Sequence, residues 1–336
     1  MNLKHFYLPL FFVLLSIQVF SQSNNTQVPY TTPSNNRQLD GNHQLWLNLQ
    51  LNGAIKGKWR WGCDFEMRRQ ADPSIPYYAK DKVGNDKWDI VKHPYQDAIR
   101  PYLHYHLNEN IRFTVGGAYF MTWSFPEEGP GVKSLNSFTT TYYPEWRFFP
   151  QITLYNRYGR VQIQQRYRDE FRFLGTKTTD SNPADPLGPS SSYSFLQTGR
   201  SNRFRYMVRT IIPLNNKELI KGTWYVMASE EIFLSFGKDV QTNRMIDQSR
   251  TFVNIGYKFH EDIRVEFGYM NQTAFRMNNN GSSKTGLPGG SAVANNIDFN
   301  NNLNISLIFD NFNNLFKKKD KATAKKSISP AFSNNI

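Results

Sequence analysis

Arg166, Arg168, Glu170 and Arg172 occupy every second position of one stretch, and Glu145 and Arg147 do the same earlier in the chain. Side chains two apart share one face of an extended strand. The guanidinium groups of such a row are planar multi-donor forks, suited to gripping carboxylates or a small anion. The spacing recurs in Arg60, Asp64, Glu66 and Arg68, in Arg203, Arg205 and Arg209, and in Arg264 and Glu266. Arg100, Arg112, Glu231, Arg250, Lys258 and Asp298 sit on the polar side of their own alternating segments. Cations outnumber acids two to one on these rows.

Two chemistries fit them. One is an ion-pair ladder that fills a narrow interior and blocks flow. The other is an arginine-lined path that selects anions. A desolvated arginine must be matched. The expected pairing network is therefore Glu66, Arg68, Glu145, Arg147, Arg166, Arg168, Glu170, Arg172, Arg203, Arg205, Glu231, Arg264 and Glu266.

Enzyme chemistry has little to stand on. His104 and His106 lie two apart on a polar row, a spacing that brings two imidazoles together for a metal or for general-base work. A metal site wants three or four ligands, and no third histidine is close in sequence. A lipid-cleaving barrel needs a serine nucleophile beside a histidine. Ser137, Ser229 and Ser306 stand in no distinctive motif. The expectation is a pair of satisfied histidines, no catalytic residue, no metal and no cofactor. The Gly116-Gly117 and Gly289-Gly290 pairs predict strand and loop flexibility, not phosphate cradles.

The elements that must carry these rows are strands. In 45–51, Leu45, Leu47, Leu49 and Leu51 oppose Trp46, Asn48 and Gln50. In 59–68, Trp59, Trp61, Cys63, Phe65 and Met67 oppose the charged row. The same period of two marks segments around 99–107, 111–123, 145–154, 161–173, 203–212, 224–234, 250–259, 263–269 and 297–309. Glu230 is anomalous on its row. That makes eleven segments of about ten residues, the length of a tilted membrane-spanning strand. Trp59, Trp61, Trp123, Trp146 and Trp224 fall on apolar rows, as an interfacial aromatic girdle requires. Cys63 shares such a row and is expected to be inert.

Connections alternate in length. Short turns fall near 52–58, 107–110, 155–160, 215–222 and 259–262, and long polar ones at about 70–95, 124–137, 175–200, 237–248 and 275–295. Short periplasmic turns with long outer loops are the outer-membrane barrel arrangement. A soluble β-sandwich supplies two-faced strands but not this rhythm. The predicted fold is an all-β, antiparallel up-and-down barrel of about 12 strands, within a range of 10–12. An even count needs one strand beyond the eleven, and 22–42 is the stretch left to supply it.

Composition and address agree. Of 336 residues, 39% are hydrophobic, below the ~45–50% of a soluble domain. Aromatic residues at 15% and charged residues at only 20% argue against disorder. One cysteine excludes a disulfide framework and any multi-cysteine metal site. Lys4, the apolar run Phe6 to Phe20 and Val19-Phe20-Ser21 have the layout of a cleaved signal peptide over 1–21. The run is short of the ~20 residues of a spanning helix. No cysteine follows the cleavage point, so a lipoprotein anchor is not supported. No second long apolar run follows, so a mature chain in a bilayer must span it as a closed barrel. The formal charge is +13, but secretion argues against nucleic acid as its partner. The expected surroundings are outer-membrane lipid, the barrel-assembly machinery and, for an open lumen, small anionic solutes.

The division is then a leader over 1–21, a flexible segment over 22–42, a barrel over 43–310 and a basic tail over 311–336. Within the tail, Lys317, Lys318, Lys319, Lys321, Lys325 and Lys326 face only Asp320. Such a tail is either solvated or held to an anionic surface at ~1 kcal/mol per basic residue.

The run Glu145-Trp146-Arg147, Gln151 and Arg166-Tyr167-Arg168-Asp169-Glu170-Phe171-Arg172 resembles the core signature of the domain of unknown function 2490 family. Those proteins are uncharacterised outer-membrane barrels of Bacteroidetes-type bacteria. Arg203-Phe204-Arg205, Glu231-Ile232-Phe233 and Gly268-Tyr269 fit it as well, over roughly 40 to 310. The resemblance implies an outer-membrane barrel with no established activity. The chain departs from many barrels in not ending on its aromatic final strand, where the usual C-terminal assembly signal would stand. The function expected is structural or assembly-related, with a largely ion-paired lumen. A small-solute or anion channel is the second reading and a lipid-directed enzyme the third.

Overall fold

The computed structural model describes residues 39–70, 90–91, 93–123, 142–179, 191–194, 200–237, 246–277 and 295–316. Residues 1–38, on which the expected leader falls, and the lysine-rich part of the tail lie outside them. Eleven strands close into one barrel. In chain order they are β1 (Leu39–Lys56), β2 (Trp59–Gln70), β3 (His93–His106), β4 (Ile111–Trp123), β5 (Tyr142–Tyr158) and β6 (Val161–Leu174). After a separate hairpin, β7 (Thr176–Thr179) with β8 (Ser191–Ser194), come β9 (Arg200–Pro213), β10 (Thr223–Gly237), β11 (Ile246–His260), β12 (Ile263–Met277) and β13 (Asn295–Phe309). Every segment predicted by alternation is one of the barrel strands. The β7–β8 hairpin inside the longest connection was not foreseen.

Neighbours around the barrel are antiparallel with one exception. β1 and β13 close it as a parallel pair, from Leu39 opposite Ile297 to Leu51 opposite Phe309. An odd number of strands leaves the last running in the direction of the first, and only a parallel ladder joins them. The count therefore falls inside the expected range without a twelfth strand, and parity is met by the closing pair. Residues 39–42, assigned by sequence to a flexible segment, form the start of β1.

The connections of residues 57–58, 107–110, 159–160, 214–222 and 261–262 gather at one end, and the remaining ones between barrel strands leave the other. Gly57 and Gly159 hold φ of 57° and 60° in two-residue turns. Hairpin turns that match strand twist need this left-handed backbone.

The barrel is inside-out relative to a soluble protein. Phe65, Leu103, Val115, Trp146, Phe148, Val253, Ile255 and Phe267 are exposed on its outer face. Arg100, Arg168, Glu170, Arg205, Glu231, Arg264 and Glu266 are buried inside it. Past β13, Phe312–Phe316 forms a 3₁₀ turn that folds back under the short-turn end.

Candidate functional site in the barrel interior

Register sets the problem that the interior solves. Arg147 of β5 stands opposite Arg172 of β6, and Arg168 of β6 stands opposite Arg205 of β9. Like charges facing each other across a ladder repel. Glutamates on the same rows separate them. Glu145 accepts from Arg147 Nε at 2.8 Å and from Arg172 Nε at 2.5 Å. Glu170 has Arg205 Nη1 at 2.5 Å, Arg147 Nη1 at 3.3 Å and Arg168 Nη1 at 3.5 Å. Glu231 of β10 accepts from Arg205 at 2.9 Å and from Arg166 at 2.5 Å. The chain Arg172–Glu145–Arg147–Glu170–Arg205–Glu231–Arg166 thus runs unbroken across four strands.

Three smaller groups complete the interior. Arg100 bridges Asp64 at 3.1 Å and Glu66 at 2.7 Å, and Arg68 joins Glu66 at 2.5 Å. Glu266 takes Arg209 at 2.7 Å, the Tyr225 hydroxyl at 2.9 Å and Arg264 at 3.4 Å. Asp310 links Arg264 and Lys258, each at 3.1 Å. Arg203 pairs with Asp247 at 3.1 Å. Every member of the network expected from sequence is in one of these groups.

Aromatic rings form the floor under the guanidinium groups. Arg68 lies 3.8 Å over Trp46, Arg147 3.8 Å over Phe120 and Arg168 4.1 Å over Phe149. Arg205 and Arg250 lie 4.6 Å and 4.7 Å from Phe233. A cation that gives up water recovers part of the loss on a ring face. Sequence reasoning left Phe120, Phe149 and Phe233 out of the inward rows, although counting by two from Ala118, Arg147 and Glu231 reaches them. Asp310 is found the same way, by extending the β13 row past Ser306 and Ile308. Asp247 is different. A register shift between β10 and β11 near it turns two successive residues, Asp247 and Gln248, inward, and nothing in the sequence marks that bulge.

His104 is buried, with Nδ1 2.7 Å from the Thr114 hydroxyl, and its ring is 6.5 Å from that of His106. Among the described residues no three His, Cys, Asp or Glu side chains are grouped to hold a metal. Ser137, Gly289 and Gly290 lie outside the described residues.

Gly116 corrects its reading as a flexible strand residue. A Cβ there would strike the Phe149 ring and the Pro101 carbonyl, so the glycine makes room for an inward ring. Gly62 does the same for Tyr102, whose hydroxyl donates to Asp64 at 2.8 Å, and Gly256 does so for Tyr225.

A family model described as protein of unknown function (DUF2490) matches residues 43–283. The chain belongs to that family. No curated protein and no solved structure matches it.

Proposed function

We propose that this member of the DUF2490 family is an outer-membrane β-barrel with a lumen closed by its own side chains, serving a structural or assembly-related role without catalysis or conduction. The membrane part rests on the outer face. Large apolar side chains there would cost roughly 25 cal/mol per Å² in water and nothing in hydrocarbon. Trp59 with Tyr105 and Trp224 with Tyr257 lie near the short turns, and Trp146 with Tyr119 lies toward the long loops. Such pairs suit the two interfaces of a bilayer. By this reading the short turns face the periplasm, reached through secretion and the barrel-assembly machinery.

The closed lumen rests on one observation. Glu170 is 1% exposed and holds arginines from three strands. A hydrated, conducting path leaves such groups in water. Here Arg147 and Arg205 hydrogen-bond to Glu170, Arg168 hydrogen-bonds to Gln151, and all three guanidinium groups lie over buried rings. Purified protein in a planar bilayer is expected to be electrically silent. Steady anion-selective steps would replace this reading with the channel, for which the surplus of arginine is the supporting feature.

A further inference from the structure

Nearer the long-loop end of β3 the outward row carries Asp97, which accepts from Trp123 Nε1 at 2.8 Å; at mid-strand two further carboxylates interrupt the outer face. On β6, Asp169 stands between Tyr167 and Phe171, with Val161 and Ile163 on one side and Phe173 on the other. On β10, Glu230 stands between Ala228 and Ile232. Both flank β9, where Asp169 is opposite Phe204 and Glu230 opposite Val208. Between them β9 presents Tyr206, with its ring centroid 5.0 Å from that of Tyr167.

The patch holds donors as well as acceptors. The Tyr167 hydroxyl donates to Gln165 at 2.9 Å, which leaves the Gln165 amide nitrogen with donors to spare. Thr251 donates to Glu230. Asp169 fares worse: its Oδ1 is enclosed and has no hydrogen-bond partner among the described residues, the carboxylate meets only the Glu170 backbone N–H, and its other oxygen is the one a neighbouring molecule can reach.

Hydrocarbon offers no donor to a carboxylate, and an ionisable group facing lipid is expensive to keep. We infer that the outer face of β6, β9 and β10 is where two copies of this chain associate within the membrane. The inference rests on the membrane-barrel reading above. A two-fold axis brings the same patch from both copies together. Acceptors Asp169 and Glu230 of one then meet the Tyr206 hydroxyl and the Gln165 amide nitrogen of the other. The patch is complementary to itself, so no partner of opposite charge is needed.

The test uses the full mature chain in lipid vesicles, in a Cys63→Ser background. Val208→Cys reports on the proposed face, and Leu49→Cys on β1 reports on the far side of the barrel. Vesicle flotation and heat-modifiable migration first establish insertion and folding. The expected result is a disulfide-linked dimer formed several-fold more from Val208→Cys than from Leu49→Cys. Adding Asp169→Leu and Glu230→Leu should abolish it while the barrel stays folded, and Asp169→Leu alone should weaken it. An inserted, folded protein that cross-links at neither position, or equally at both, overturns the dimer and leaves the membrane reading standing. A protein that fails to float with vesicles overturns both.

Discussion

Glu170 is the side chain on which the interior turns. Its three arginine partners come from β5, β6 and β9, and it is almost wholly buried. Removing one member of a buried pair strands the others without countercharge, at a cost on the order of 3–5 kcal/mol. Glu170→Ala should therefore lower the urea midpoint of the folded barrel by far more than the neighbouring outward change Phe171→Leu. A variant that keeps its stability and gains conductance would mean a wet interior. Glycine at residue 256 makes a second, independent case. Its missing Cβ is the space taken by the Tyr225 ring, whose hydroxyl donates to Glu266. Overpacking a filled site costs about 1–3 kcal/mol. Gly256→Ala should show that loss in unfolding, and adding Tyr225→Leu should restore part of it by vacating the space. If Tyr225→Leu makes the loss worse, the ring is not what the glycine accommodates.

At the scale of elements, the segment after β13 behaves as a latch. The Asn313 amide donates to the Ala54 carbonyl of β1 at 2.7 Å, and Asn314 reaches Asp262 in the β11–β12 turn at 3.3 Å. Phe312 packs edge-on against Phe309 and Trp61, with ring centroids 5.5 Å and 6.4 Å away. The turn thus spans both sides of the closing pair. A chain ending at Phe316 should refold into vesicles as the full chain does, whereas one ending at Asp310 should refold in lower yield and unfold at lower temperature. Equal yields would leave the turn without a role in closure. The strands themselves were legible because a strand between two media must alternate, as Leu303, Ile305, Leu307 and Phe309 do against Asn302, Asn304 and Ser306 on β13. The latch was not, since Phe312, Leu315 and Phe316 only break the pattern and say nothing of where they dock. The network was half legible for a similar reason. Parity told which side Arg147 and Arg172 face, but register decides that they oppose each other and need Glu145 between them.

Over the whole molecule, charge is distributed unevenly around the barrel. From β5 to β10 the inner face is an arginine–glutamate chain. Around the closing pair it is almost neutral, with Gln44, Trp46 and Asn48 on β1 and Asn300, Asn302, Asn304 and Ser306 on β13. The bonds crossing that seam are amide and hydroxyl contacts, such as Asn48 to Asn304 at 2.6 Å and Asn48 to Ser306 at 3.3 Å. A net neutral hydrogen bond contributes about 1 kcal/mol, and bonds to charged groups about twice that. Parallel pairing is also slightly weaker per residue than antiparallel. Both differences point the same way, so the closing pair is the weakest joint of the ring. Backbone amides of β1 and β13 that face each other should exchange with deuterium earlier than those joining β6 to β9, measured on folded protein in micelles under conditions where the barrel remains closed on average. Neutralising the strong side should reverse the order. In Glu170→Ala with Glu231→Ala, β6 and β9 should lose protection first. If the seam stays the last region to exchange in the unaltered chain, side-chain charge does not set where this barrel opens, and the latch after β13 outweighs the neutral interior it covers.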